Sequence, residues 1–145
     1  MTALGKKKYI ADASVILKWF SQTDESEVEK ALRLRNDYKD GTVELYAPEL
    51  LIYEIANVLR YKGTLKEELI SKALASIYDM DILMPVNLQI MTTAVRFARK
   101  FGITVYDSTY LSFAFEAGGH LLTADKKLYK KIEDSPGILY ISEYE

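Results

Sequence analysis

The sequence predicts an α/β fold built around a mostly parallel sheet. Short apolar runs alternate with amphipathic helical patterns along the whole chain, the order that βαβ units produce. Its 145 residues suit one ordinary domain, long enough to bury about 70% of its unfolded surface around a core. No internal repeat, low-complexity tract or Pro/Gly/Ser-rich linker divides it, so residues 1–145 are expected to form a single domain.

The elements follow from local pattern. Tyr9 to Ala11 reads as the first strand and Ala13 to Phe20 as a short helix. Asp24 to Lys39 carries Val28, Ala31, Leu32 and Tyr38 at helical spacing, and Gly41 stops it. Glu44 to Tyr46 is a short strand. Pro48 then opens a helix through Tyr61, since proline suits the first helical position, and Gly63 closes it. Thr64 and Glu67 have capping-box spacing for a helix reaching Tyr78. Ile82 to Met84 is the third strand. Asn87 caps a helix to Phe101, with Gly102 as its stop. Asp107 caps a helix from Ser108 to Ala117, and Gly118-Gly119 ends it. His120 to Thr123 is a strand, Lys126 to Ile132 a helix and Ile138 to Ile141 the last strand.

Composition narrows the chemistry. The chain has no cysteine, which excludes disulfides, thiolate metal sites and a cysteine nucleophile. No apolar run is long enough to cross a bilayer, and the short basic start, Met1 to Lys8, lacks a signal peptide's apolar stretch. A cytoplasmic protein is expected, with no membrane partner. The net charge of −2 argues against a protein that coats duplex DNA, but not against a nuclease whose acidic site recruits cations.

Four carboxylates stand out. Asp12 and Asp125 each fall just past a predicted strand, and in an open parallel sheet ligands bind beyond the carboxyl ends of the strands. An Asp before a helix is also a preferred N-cap, and either one alone reads that way. Glu54 lies in an apolar helical run, Leu50 to Leu59, where a carboxylate is costly unless paired or bound to a metal. Asn57 is one turn further along the same face; the alternative is a narrow solvated stripe reaching Tyr61. Asp107 precedes another apolar helix. Gathered together, such carboxylates would raise each other's pKa unless a cation neutralised them, and an all-oxygen set suits Mg²⁺ or Mn²⁺. Spacing alone does not bring them together.

The segments Ile10-Ala11-Asp12-Ala13-Ser14-Val15-Ile16-Leu17-Lys18-Trp19-Phe20, Pro48 to Leu59 around Glu54, Val105-Tyr106-Asp107-Ser108-Thr109-Tyr110-Leu111, and Leu121-Leu122-Thr123-Ala124-Asp125-Lys126-Lys127-Leu128 occur in an order that resembles the PIN-domain ribonucleases. More specifically, they resemble the VapC-type toxins of toxin–antitoxin pairs. Each segment alone is a weak pattern; the four together cover nearly the whole chain. The resemblance implies a three-layer α/β fold with a parallel five-stranded sheet flanked by helices, spanning residues 1–145 as one nuclease domain. It implies that Asp12, Glu54, Asp107 and Asp125 hold Mg²⁺ or Mn²⁺ for cleavage of RNA, often tRNA or ribosomal RNA. It further implies support for the acids from Ser14, Thr123 and Asn57, a homodimer, and a small antitoxin as partner.

Other features read more plainly. His120, the only histidine, begins a strand at the end opposite the acids, which sets aside a Ser-His-Asp triad. Gly118-Gly119 precedes a strand, whereas phosphate-cradling glycines follow one. Lys126 and Lys127, beside Asp125, and Lys18, on the helix after Asp12, are candidate RNA contacts; solvated surface lysines are the alternative. Trp19, Phe20, Phe113 and Phe115 read as core or dimer interface, and an apolar face on the Pro48–Tyr61 and Thr64–Tyr78 helices could also supply one. Two other readings stay open, an RNA-processing nuclease of the same fold without a toxin role and an interaction module that has lost the chemistry, while a phosphoryl-receiver domain is set aside. The last wants an acceptor Asp at the end of a central strand, where this chain has Met84-Pro85.

Overall fold

In the computed structural model, residues 5–21 and 25–145 are described. Five strands are seen among them: β1 (Lys8–Ala11), β2 (Glu44–Pro48), β3 (Leu83–Met84), β4 (His120–Thr123) and β5 (Ile138–Tyr140). The helices are α1 (Ala13–Ile16), α2 (Ser26–Lys39), α3 (Leu50–Arg60), α4 (Glu67–Asp79), α5 (Leu88–Phe101), α6 (Val105–Ala117) and α7 (Lys126–Ile132). All strand pairs are parallel, in the order β3-β2-β1-β4-β5.

That order has a mechanical consequence. The chain builds outward from β1 to β2 and β3 on one side, then returns to add β4 and β5 on the other. The direction of winding reverses between β1 and β4, which pair from Tyr9↔His120 to Ala11↔Leu122. A crevice opens at such a reversal beyond the carboxyl ends of the strands. Ile10, Ala11, Leu45, Ala47, Leu121 and Leu122 are fully buried, as expected of strands covered on both faces.

Helix α6 lies across β1, β2 and β4, and α5 packs on it. Every α6 residue from Ser108 to Ala114 is buried. Its buried hydroxyls are all satisfied: Ser108 donates to the Ala94 carbonyl (2.7 Å) and Ser112 to the Ile90 carbonyl (2.6 Å), both in α5.

Several sequence expectations need correction. Pro48 does not open α3 but ends β2, in register with Met84. The amides of Ala47 and Glu49 donate to Ile82 and Met84, so the proline falls where the ladder to β3 asks for no N–H. The Thr64/Glu67 capping box does not form, because α4 begins at Glu67 with Lys66 in the cap position. The helix expected over Ala13–Phe20 is α-helical only to Ile16 and tightens to a 3-10 turn over Leu17–Phe20. The expected start of α2 at Asp24 lies outside the described residues. Strand β5 ends at Tyr140, and Ile141 belongs to a 3-10 turn. Asn87 does cap α5, accepting from the Ile90 amide at 2.9 Å, and Gly102 and Gly118 end α5 and α6 in the left-handed conformation.

Trp19 and Phe113 are buried and Phe20 packs at the core's edge. Phe115 is not core: it is 67% exposed, with its ring edge-on to Phe97. Helices α3 and α4 expose Tyr53, Val58, Tyr61, Leu69 and Tyr78. No helix among the described residues is long and apolar enough to cross a membrane.

Candidate active site

Asp12 follows β1 directly and caps α1, accepting from the Val15 amide at 3.3 Å. Only 5% exposed, it has no cationic partner among the described residues. Ser14 is the second residue of the same helix. Its hydroxyl donates to Asp12 Oδ1 and accepts from the Ala124 amide at 2.7 Å. Ser14 thereby ties the end of β1 to the end of β4. Thr123, fully buried at the last position of β4, stands 3.4 Å from the Ser14 hydroxyl and accepts from the Asp125 amide at 3.1 Å. Asp125 is exposed and caps α7 through the Leu128 amide (3.1 Å).

Asp107 arrives differently from its sequence reading. Helix α6 begins two residues earlier, at Val105, with Thr104 as its cap; the Thr104 hydroxyl accepts from the Asp107 amide at 3.0 Å. Asp107 is a first-turn residue, half-buried, with its carboxylate released from capping. Its position near a helix N-terminus favours negative charge. Glu54, on α3, is half-buried as well. The helix is not apolar all round, since Tyr53, Asn57, Val58 and Tyr61 form an exposed face. Glu54 sits at its margin, turned towards α6.

Electrostatics connects the four. Burial pushes the Asp12 carboxyl up to about 6; Ser14, Thr123 and the Val15 amide pull it back, and the charge of Asp107 adds to the rise. Burial also raises Glu54, with Asp107 again contributing, and raises Asp107, helped by Asp125. The charge of Asp107 thus bears on Asp12 and Glu54, and that of Asp125 on Asp107. The four acids lie on four separate segments: Asp12 after β1, Glu54 on α3, Asp107 on α6 and Asp125 after β4.

One participant is absent from the sequence reading. Tyr110, one turn after Asp107 in α6 and 1% exposed, donates its hydroxyl to Glu54 Oε1 at 2.5 Å. Burial, then the charges of Glu54, Asp12 and Asp107, push its phenol far above the usual range, so it stays a donor. In sequence Tyr110 belongs to an apolar helix and reads as core. Only the fold brings it to Glu54, which lies 56 positions away.

The other candidates are distributed as follows. Asn57 is exposed and accepts from Arg60 (3.2 and 3.1 Å), with no hydrogen bond to an acid. Lys18 is engaged by Glu25 (3.1 Å) and Glu27 (3.2 Å), and Lys126 acts on Glu27 as well. Lys127 is exposed and forms no ion pair among the described residues. Lys131, not singled out in the sequence, lies close enough to lower Asp107 and donates to the Gly102 carbonyl (3.2 Å). His120 is exposed at the opposite end of the sheet. A cavity of about 320 Å³ between α3, α5 and the start of α6 has Tyr53 and Tyr106 on its walls, the residues preceding Glu54 and Asp107.

The donor set is all oxygen, negatively charged and free of lysine or arginine counter-charges at Asp12 and Glu54, which fits a hard divalent cation. Among the described residues, no group of three or more Asp, Glu or His side chains is placed to hold a metal ion together.

Comparison with known proteins completes the picture. The family model of the PIN domain matches residues 9–133. Ribonuclease VapC3 of Pyrobaculum aerophilum is 32% identical over 130 residues, covering 86% of this chain and 94% of that protein. A toxin–antitoxin complex from Klebsiella pneumoniae contains a chain with a TM-score of 0.65 at 12% identity, covering 92% of this chain and 97% of that one. The DNA-bound VapBC of Salmonella typhimurium gives 0.69 at 13% identity, with 93% and 98% covered. At those identities the structural likeness is one of fold.

Proposed function

Because this chain belongs to the PIN-domain family, we propose that it is a divalent-metal-dependent endoribonuclease and the toxin of a toxin–antitoxin pair. What supports this reading is that Asp12 and Asp125 follow β1 and β4, between which the sheet reverses its winding, and that Asp107 bears electrostatically on Asp12 and Glu54 and is itself raised by Asp125.

When bound, Mg²⁺ or Mn²⁺ supplies the charge that neutralises the acids and activates a water for attack on a phosphodiester. The chain's own residues do the rest. Asp12 offers a carboxylate held from three sides by Ser14, Thr123 and the Val15 amide. Asp107, between the others, offers a carboxylate that Thr104 has freed from capping. Glu54 closes the site from α3, and Asp125 opens it to solvent from α7. Lys127 and Lys131 stand on the Asp125 side as partners for RNA phosphates, a better placement than that of Lys18.

The substrate is RNA, with tRNA and ribosomal RNA the first to test. A small antitoxin is the expected protein partner, in line with the toxin–antitoxin complex that shares the fold. The exposed apolar side chains of α3 and α4 are suited to a homodimer contact.

The decisive experiment is cleavage of a mixed tRNA and ribosomal RNA substrate with Mn²⁺ or Mg²⁺, with EDTA, and with Asp107→Asn purified identically. Metal-dependent cutting that both controls abolish is expected. Cutting that survives Asp107→Asn would overturn the assignment.

A further inference from the structure

We propose that Tyr110 is a positioning residue for the metal-binding form of the site: it holds one oxygen of Glu54 so that the other faces Asp107. This rests on the four-acid reading above.

Glutamate has three side-chain rotors, and fixing them costs conformational entropy. Glu54 is half-buried at the edge of an exposed helical face. Apart from the Tyr110 hydroxyl, no hydrogen-bond donor to Glu54 is found among the described residues. Tyr110 itself is immobile: it is essentially fully buried, and the residues on both sides of it, Thr109 and Leu111, are buried too. Helix α6 is further pinned to α5 by Ser108 and Ser112.

The same helix carries Asp107 one turn earlier, so the two residues share a face. A single rigid element therefore presents one acid directly and fixes the orientation of a second, across the gap to α3. This is the role that outer hydrogen-bond partners play around metal ligands, where their removal typically weakens metal affinity by about 10- to 100-fold. The alternative is a core tyrosine whose hydroxyl found the nearest acceptor; it predicts a change in stability and none in metal binding.

The test uses the full chain and Tyr110→Phe, which keeps the buried ring and removes only the donor. Mn²⁺ binding is measured by titration calorimetry or by the paramagnetic resonance of free Mn²⁺, without RNA. Thermal unfolding in EDTA checks the fold, and RNA affinity in EDTA checks the binding surface. About 10-fold or greater weakening of Mn²⁺ binding is expected, with RNA affinity in EDTA unchanged. The loss should vanish in the Glu54→Gln background, because Tyr110 acts only through Glu54. Wild-type Mn²⁺ affinity in a folded Tyr110→Phe, or an equal loss with and without Glu54, would overturn the inference alone. A wild type that binds no Mn²⁺ would overturn the four-acid reading and this inference with it.

Discussion

Asp12 should make the metal-free protein less stable at neutral pH than an isosteric amide would. Its carboxyl is raised from an ordinary 3.8 to about 6, chiefly by burial. A raised folded-state value means that the native protein binds the proton more tightly than the unfolded chain does. The associated stability is fully present below about pH 4 and is lost as the pH rises through 6. At about 1.36 kcal/mol for each pH unit of separation, the loss amounts to about 3 kcal/mol. Asn at this position carries no such titration. Its side-chain oxygen can still accept from Ser14 and from the Val15 amide, and Asn caps a helix as well as Asp. Urea unfolding of wild type and Asp12→Asn in EDTA, from pH 4 to pH 8, checks this directly. The stability of the variant relative to wild type should rise by about 3 kcal/mol between pH 4 and pH 7, then level off. A difference independent of pH, or a variant less stable than wild type at pH 7.5, would refute the reasoning.

Three further outcomes follow from specific contacts. Ser14→Ala removes the donor to Asp12 and leaves the Ala124 amide without its acceptor, which should cost about 2 kcal/mol in urea unfolding and lower cleavage activity. Gly119→Ala should destabilise by about 1–3 kcal/mol without touching metal binding. Its new Cβ would sit 2.8 Å from Ile10 Cδ1 and 3.0 Å from the Lys8 carbonyl, and a stability within 0.5 kcal/mol of wild type on the same scale would show that β1 can yield. Lys127→Ala should weaken binding of single-stranded RNA in EDTA and lower its salt-dependence slope by about 0.7, whereas Lys18→Ala should leave the slope alone. Fluorescence anisotropy across a salt series separates the two.

The fold was largely legible because its signals are local. Asn87 and Gly102 frame α5 with a cap and a left-handed stop, and both do in the structure what their chemistry dictates. Pro48 was misread because its missing N–H suits two places equally well: a first helical turn and a ladder position that donates nothing. Only the register with β3, a non-local fact, decides between them. Thr64 and Glu67 have capping spacing, yet Lys66 already stands in extended conformation at the start of α4. For Phe115 the structure removes only the core half of the core-or-interface reading, because α6 is apolar all round in sequence and periodicity does not say which side faces water.

The four acids stand out in the sequence, and the groups that hydrogen-bond to them do not. Each acid alone had a sufficient local explanation as a helix cap or a solvated side chain. Two of those explanations are correct without excluding a site. Asp12 and Asp125 do cap α1 and α7, but a carboxylate has about four lone-pair positions, and a cap takes one. Asp107 shows the reverse: the cap belongs to Thr104, which leaves the carboxylate of Asp107 free of that duty. Residues that act through another residue leave no such trace. Ser14 is two positions from Asp12 and could be found beside it. Tyr110 is 56 positions from Glu54 and looks like any core aromatic. Acids announce themselves because burying them is costly; a buried tyrosine does not, because its ring alone justifies its place. The hydroxyl becomes informative only when its acceptor is known, and that requires the packing of α6 against α3.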